Sequence, residues 1–97
     1  MEINIEKLDV IHNETEDRFE IWIDDSLSKL DYIHDGNMIV MTHVGVPLEF
    51  RNHGIAARLT QTALDYAEEN LLRVVPMCPY VAVYIRRHPQ YQKLVKD

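Results

Sequence analysis

The stretch Arg51-Asn52-His53-Gly54-Ile55-Ala56 carries residue types suited to holding an anion. Arg51 is a permanent cation with a forked set of donors that matches phosphate. It precedes a glycine that stands where a long helical pattern begins. The first-turn N–H groups of a helix have no internal partner and sit at the positive end of its dipole. Gly54 has no Cβ, so a ligand can approach the backbone there. His43 stands in the apolar segment just before this stretch. An imidazole with an ordinary pKa of about 6.5 suits a general base; the alternative is a strand histidine satisfied by a neighbour. Cys78 is followed by Pro79 and a second helical pattern. A thiol before a helix N-terminus is biased toward the thiolate, which is a nucleophile. A buried cysteine that only packs is the other reading.

Other chemistries are excluded by pattern. The chain contains neither G-x-x-x-x-G-K-[ST] nor G-x-G-x-x-G, and its 3 glycines, at 36, 45 and 54, are far apart. His43, His53 and Cys78 lack ligand-pair spacing, and no C-x-x-C or H-E-x-x-H occurs, so no metal site is expected. The 97 residues carry a formal net charge of −6, which argues against a nucleic-acid binder and weakly favours cationic partners or amine substrates. Solubility is the plainer account of that charge. The single cysteine rules out an internal disulfide and fits a reducing compartment. The start, Met-Glu-Ile-Asn-Ile-Glu, lacks the basic and apolar regions of a signal peptide, and no apolar run approaches the ~20 residues of a membrane span. A cytoplasmic protein that is one domain over residues 1–97, with a small core drawn from 46% hydrophobic residues, is the expectation.

The elements that must position these residues follow from periodicity. Leu8 to His12 reads as a first strand, and Asn13 to Asp17 as a polar turn. Arg18 to Asp24 alternates with period two, Phe19, Ile21 and Ile23 on one face and Glu20, Trp22 and Asp24 on the other. Lys29 to His34 reads as a third strand, and Asp35-Gly36-Asn37 as a hairpin turn that needs positive φ. Met38 to Val46, apolar on both faces, reads as a fourth strand in a central position. From Ile55 to about Leu71 a helical stripe of Ile55, Leu59, Ala63, Tyr66 and Ala67, widened by Ala56, Leu64 and Leu71, faces the sheet. Arg73 to Met77 is a short fifth strand that must end or leave an edge at Pro76. Cys78-Pro79 opens a second helix, Tyr80 to Arg87, with Arg86, Arg87 and His88 at its C-terminal end and Pro89 stopping it. Gln90 to Lys96 reads as a final turn or a tail.

R-x-x-G-x-A, between a strand and a helix, resembles the Q/R-x-x-G-x-G/A signature of the GNAT N-acetyltransferases. Residues 78 to 91, from Cys-Pro-Tyr-Val to His-Pro-Gln-Tyr, resemble the C-terminal signature of a small GNAT subfamily of roughly this length. Thr42-His43 and Val46-Pro47 fit the same subfamily. The resemblance implies an α+β, GNAT-like fold: an antiparallel four-stranded meander, a long helix, a fifth strand and a second helix, with the helices packed on a central sheet. It implies acetyl-coenzyme A as acyl donor, its pantetheine arm on the backbone of Val44, Gly45 and Val46, where Gly45 would mark a bulge. The pyrophosphate would meet the N–H groups of Asn52, His53, Gly54, Ile55 and Ala56, with Arg51 beside it. Acetyl transfer to an amine, a small molecule or a protein lysine, would use His43 as base. Cys78 would serve as an acyl carrier or a packing thiol, and Tyr84 or Tyr80 as acid for the leaving thiolate. Full-size members place two helices between the first and second strands, and Asn13 to Asp17 is too short for them. The acceptor side is therefore expected to be open or completed by a partner, for which a second copy would serve. An acyl-coenzyme A-binding module with little turnover is the other functional expectation.

Overall fold

The computed structural model describes residues 7–95. The signal-peptide reading of Met1 to Glu6 and the end of the expected tail at Lys96 lie outside the described residues. Five strands form one sheet in the order β1-β2-β3-β4-β5, namely β1 (Ile11–Asn13), β2 (Arg18–Ile23), β3 (Ser26–Asp35), β4 (Met38–Gly45) and β5 (Arg73–Pro76). Neighbours β1 to β4 are antiparallel, while β5 runs parallel to β4. The long helix α1 (Ile55–Glu69) makes the crossover between β4 and β5, and α2 (Pro79–Arg87) follows β5. This is the expected order of elements.

Turn chemistry accounts for the meander. Asp17 and Asp24 take φ values of 55° and 53°, which short polar side chains tolerate, and Gly36 takes 60° in the β3–β4 hairpin. Phe19, Ile21, Leu30, Tyr32, Ile39 and Met41 all point to one face and are buried there under α1. Ile55, Leu59, Ala63, Leu64 and Ala67 supply the helix side of that core. Val81 and Ile85 of α2 join it, so both helices lie on one face of the sheet. Among the described residues no helix covers the opposite face. Its residues alternate with the core positions and include the exposed Ile11, Trp22 and Ile33. Glu20 is buried on that face at 4% exposure, held by Arg18 Nε, Trp22 Nε1 and Asn13 Nδ2, which all donate to it. These bonds hold its carboxyl below the usual range, against the burial that works in the other direction.

Several expectations are corrected. The first strand is Ile11–Asn13, not Leu8 to His12. Leu8 and Val10 leave the sheet edge to pack against the core, and the Leu8 carbonyl accepts from Arg58 of α1. β3 is longer than Lys29 to His34, because Ser26 to Asp31 pairs with the whole of β2. Leu71 does not widen the apolar face of α1: it is 86% exposed at φ 57°. The Leu72 N–H bonds to Ala67 O at 2.8 Å and the Leu71 N–H to Glu68 O at 3.2 Å. That is a Schellman ending, with Leu71 in the left-handed position glycine usually fills. Of the two readings of the segment after Pro89, the final turn holds: the chain forms 3-10 turns over Pro89–Leu94. Tyr91 and Leu94 are buried, and the Tyr91 hydroxyl donates to Asp65 of α1 at 2.7 Å.

Candidate functional site

Parallel pairing between β4 and β5 ends at Met41 opposite Pro76. The Cys78 N–H still bonds to Met41 O at 3.0 Å, and beyond it the strands part. From Thr42 to Gly45, β4 therefore has a strand partner only on its β3 side. The cause is local to the sequence. Pro76 cannot donate to a ladder, and Pro79 at the first helical position commits the chain to α2. On the other side, the register slips so that Tyr32 faces Met41 and Asp31 faces His43. Thr42 is the extra residue, and its hydroxyl donates to Asp31 O at 3.2 Å. The bulge expected at Gly45 is thus at Thr42. Gly45 serves otherwise: a Cβ built there would lie 2.9 Å from His43 Nε2, so its bareness makes room for the imidazole.

A cleft of about 470 Å³ opens where β4 and β5 diverge. His43, Val44, Gly45 and Val46 form one wall, and Arg51, Asn52, Gly54, Ile55 and Ala56 form another. Phe50, Ala57 and Tyr80 complete it. Gly54 caps α1 with φ 84°, a left-handed geometry, and Asn52 takes φ 68°. No side chain caps the first turn of α1, and no acidic residue stands in it. Arg51 donates from Nε to Val46 O at 3.1 Å, which ties the loop to the end of β4. Among the described residues no carboxylate lines the cleft. It is thus a groove with one free strand edge, an uncapped helix N-terminus and a cation, suited to an elongated ligand with an anionic middle.

The expected residues fall into two groups. His43, Val44, Gly45, Val46, Arg51, Asn52, Gly54, Ile55 and Ala56 are brought together around the cleft. His53 is exposed on the loop but is not part of the lining. Cys78 is 6% exposed at the base of the divergence, and its thiol does not line the cleft. Tyr84 lies one turn further along α2, against His88, and the tyrosine that reaches the cleft is Tyr80. Burial raises the pKa of both phenols. Phe50, Ala57 and Thr42 were not anticipated. Phe50 carried the one usable signal, an aromatic just before the Arg51 loop. Among the described residues no group of three or more His, Cys, Asp or Glu side chains is placed to hold a metal ion.

The comparisons with known proteins bear on this geometry. The model of a family described as GCN5-related N-acetyl-transferase matches residues 18–94. Protein NATD1 of Homo sapiens is 36% identical over 64 residues, covering 65% of this chain and 57% of that protein. Protein NATD1 of Gallus gallus gives the same identity over the same length, covering 58% of that protein. The match thus spans less than two thirds of either relative. Protein NATD1 of Danio rerio is 31% identical over 90 residues, covering 88% of this chain and 82% of its own length. The NMR structure of a GCN5-like candidate N-acetyltransferase from Staphylococcus aureus superposes with a TM-score of 0.73 at 25% identity, covering 92% of this chain and 88% of that one. The fold is the GNAT fold, and this chain belongs to the GCN5-related N-acetyltransferase family.

Proposed function

We propose that this chain is an acetyl-coenzyme A-dependent N-acetyltransferase, a single minimal domain that acts on an amine of a small molecule or a protein lysine. The observation that carries the reading is the cleft itself. It joins the free edge of β4, the Arg51–Ala56 loop and the uncapped start of α1 in one groove. The residues fit the donor. Val44, Gly45 and Val46 hold the pantetheine amides as an added strand would be held. The amides around Gly54 to Ala56, with Arg51, take the pyrophosphate. The acyl carbon then lies by His43 and Tyr80.

The amine nitrogen attacks the thioester carbon, the carbon–sulfur bond breaks, and coenzyme A leaves as the thiolate. His43 takes the proton from the amine. A backbone N–H on the free edge of β4 stabilises the developing oxyanion. Tyr80, which lines the cleft, returns a proton to the thiolate in preference to Tyr84, which does not. The buried thiol of Cys78 favours direct transfer. A two-step route through an acetyl-Cys78 thioester is the alternative, favoured by its place at the start of α2.

A second reading, an acyl-coenzyme A-binding module with little turnover, is favoured by the acceptor side. Only residues 14–17 connect β1 to β2, and among the described residues no helix walls the sheet face that bears His43. A second copy covering that face, in a homodimer, would supply one. No helix among the described residues is long and apolar enough to cross a membrane. A cytoplasmic location, with neither membrane nor nucleic acid as partner, remains part of the proposal. The test is thiol release from acetyl-coenzyme A with polyamines and lysine peptides, in wild type, His43→Ala and Cys78→Ala. Turnover that falls in His43→Ala supports the enzyme. Binding without turnover on any amine supports the module.

A further inference from the structure

The bulge at Thr42 decides which side chains share a sheet face with His43. Antiparallel cross-strand partners point to the same face, with Cβ atoms roughly 4.5–5.5 Å apart. His43 is opposite Asp31, and Gly45 is opposite Lys29. Residues two apart on a strand also share a face, so these four form a quartet on the face away from the helices. Within it the imidazole leans over the glycine: Nε2 lies 2.9 Å from where a Gly45 Cβ would stand. That spot is the one opposite Lys29.

The Lys29 side chain is 35% exposed and runs along β3 to Asp31, with Nζ 3.2 Å from Oδ2. The amine is therefore tethered at the residue opposite His43, on a flexible stem rooted opposite Gly45. A lysine so placed is an amine of the kind the cleft is read to acylate. It is also the lysine of the described residues that belongs to the sheet: Lys7 precedes β1, and Lys93 pairs with Glu68 of α1. Holding an amine beside the base makes its transfer effectively unimolecular, so no encounter with a free acceptor is needed.

We propose that Lys29 is an acetylation site of the chain itself, modified by its own cleft in an intramolecular transfer. The proposal rests on the reading of the main cleft as an acetyl-coenzyme A site with His43 as base. The Lys29 ammonium leaves Asp31 and gives one proton to His43. The neutral amine attacks the thioester carbon, and the carbon–sulfur bond breaks. The nitrogen sheds a second proton, the departing thiolate takes one from Tyr80, and solvent restores both His43 and Tyr80. The products are Nε-acetyl-Lys29 and coenzyme A. The new amide carries no charge, so the pair with Asp31 is lost and a carboxylate is left without its cation opposite His43.

The test incubates wild type, Lys29→Arg and His43→Ala with acetyl-coenzyme A alone and reads intact mass and peptide maps. Lys29→Arg keeps a cation beside Asp31 and removes the nucleophile. Wild type should gain one acetyl group, mapped to Lys29, at a rate per molecule that is independent of protein concentration. Lys29→Arg should gain none, and His43→Ala should be slower by roughly 10²-fold, the scale of general-base catalysis. Calorimetric titration of coenzyme A should give the same affinity in wild type and Lys29→Arg, which shows that variant to be folded with its cleft intact. Acetyl groups spread over Lys7 and Lys93, at a rate that His43→Ala leaves unchanged, would be uncatalysed acetylation and would overturn the proposal. So would an unmodified Lys29 in protein that binds the cofactor, or a rate per molecule that rises with protein concentration. In those cases the main cleft keeps its assignment. If wild type does not bind acetyl-coenzyme A, the reading of the cleft fails and this proposal with it.

Discussion

Gly45→Ala separates the role of a residue in the fold from its role beside His43. The added Cβ would lie 2.9 Å from His43 Nε2, where ordinary contacts begin near 3.4 Å. The imidazole must therefore retreat by the difference, 3.4 − 2.9 = 0.5 Å, or more. The backbone has no reason to object, because Gly45 is not among the positive-φ residues. Replacing a strand glycine by alanine stabilises by roughly 0.5–1 kcal/mol, so the fold should hold or gain slightly. Catalysis should suffer. A misplacement of about 1 Å can cost about 10²-fold, so half of it should cost roughly tenfold in kcat. The assay is initial-rate kinetics and Tm on wild type, Gly45→Ala, His43→Ala and the double variant. If Gly45 acts through His43, the double variant is no slower than His43→Ala, a coupling of about 1.4 kcal/mol. Independent, multiplicative losses would refute the reasoning. So would a large fall in Tm for Gly45→Ala.

Three further outcomes concern the scaffold. Leu59→Ala removes a fully buried side chain from the second turn of α1 and should lower the unfolding free energy by ~2–5 kcal/mol in urea titrations. Leu71→Gly should stabilise by about 0.5–1 kcal/mol, because a left-handed residue costs ~1–2 kcal/mol for leucine and glycine gives back part of that in chain entropy. A lower Tm would show that the exposed Leu71 makes a contact that matters. His12 stacks on Phe19, meets the edge of Tyr66 and shares a 2.6 Å hydrogen bond with the Tyr32 hydroxyl, whose pKa is pushed up to about 12 mainly by burial. Burial also lowers the His12 pKa, outweighing the opposing fields of Glu14 and Asp17. The folded state thus prefers neutral His12. Its contribution is complete above the unfolded value of about 6.5 and is lost as pH falls through the lower folded value. Urea midpoints between pH 7.5 and 5.5 should fall more steeply in wild type than in His12→Gln, and parallel profiles would contradict this.

What the sequence made legible was local. Asp35-Gly36-Asn37 dictates its turn through positive φ, and Cys78-Pro79 opens α2 because proline suits a first helical position. The stripe from Ile55 to Ala67 announces the buried face of α1. What the sequence hid depends on distant partners. β1 shortens because Leu8 and Val10 are drawn to the core and Arg58 meets the chain from the far side of the sequence. Thr42 becomes a bulge only through its register with Asp31 and Tyr32, and no residue type marks that. Leu71 ends a helix in a conformation that glycine would have advertised. At the cleft, Arg51 and Gly54 were readable from spacing, whereas the choice of Tyr80 over Tyr84 needs the angle at which α2 crosses the start of α1.

The central claim is that the Arg51–Ala56 loop and the start of α1 bind acetyl-coenzyme A. It is tested most directly by calorimetric titration of the cofactor into wild type and into an Arg51→Ala, Gly54→Asp double variant, with Gly36→Ala as control. Gly36 is left-handed like Gly54 and has the same open space around it, but it sits at the opposite end of β4. The account predicts saturable binding in wild type and in Gly36→Ala, and none in the folded double variant. No binding by wild type at millimolar cofactor, or equal binding by the double variant, would contradict it.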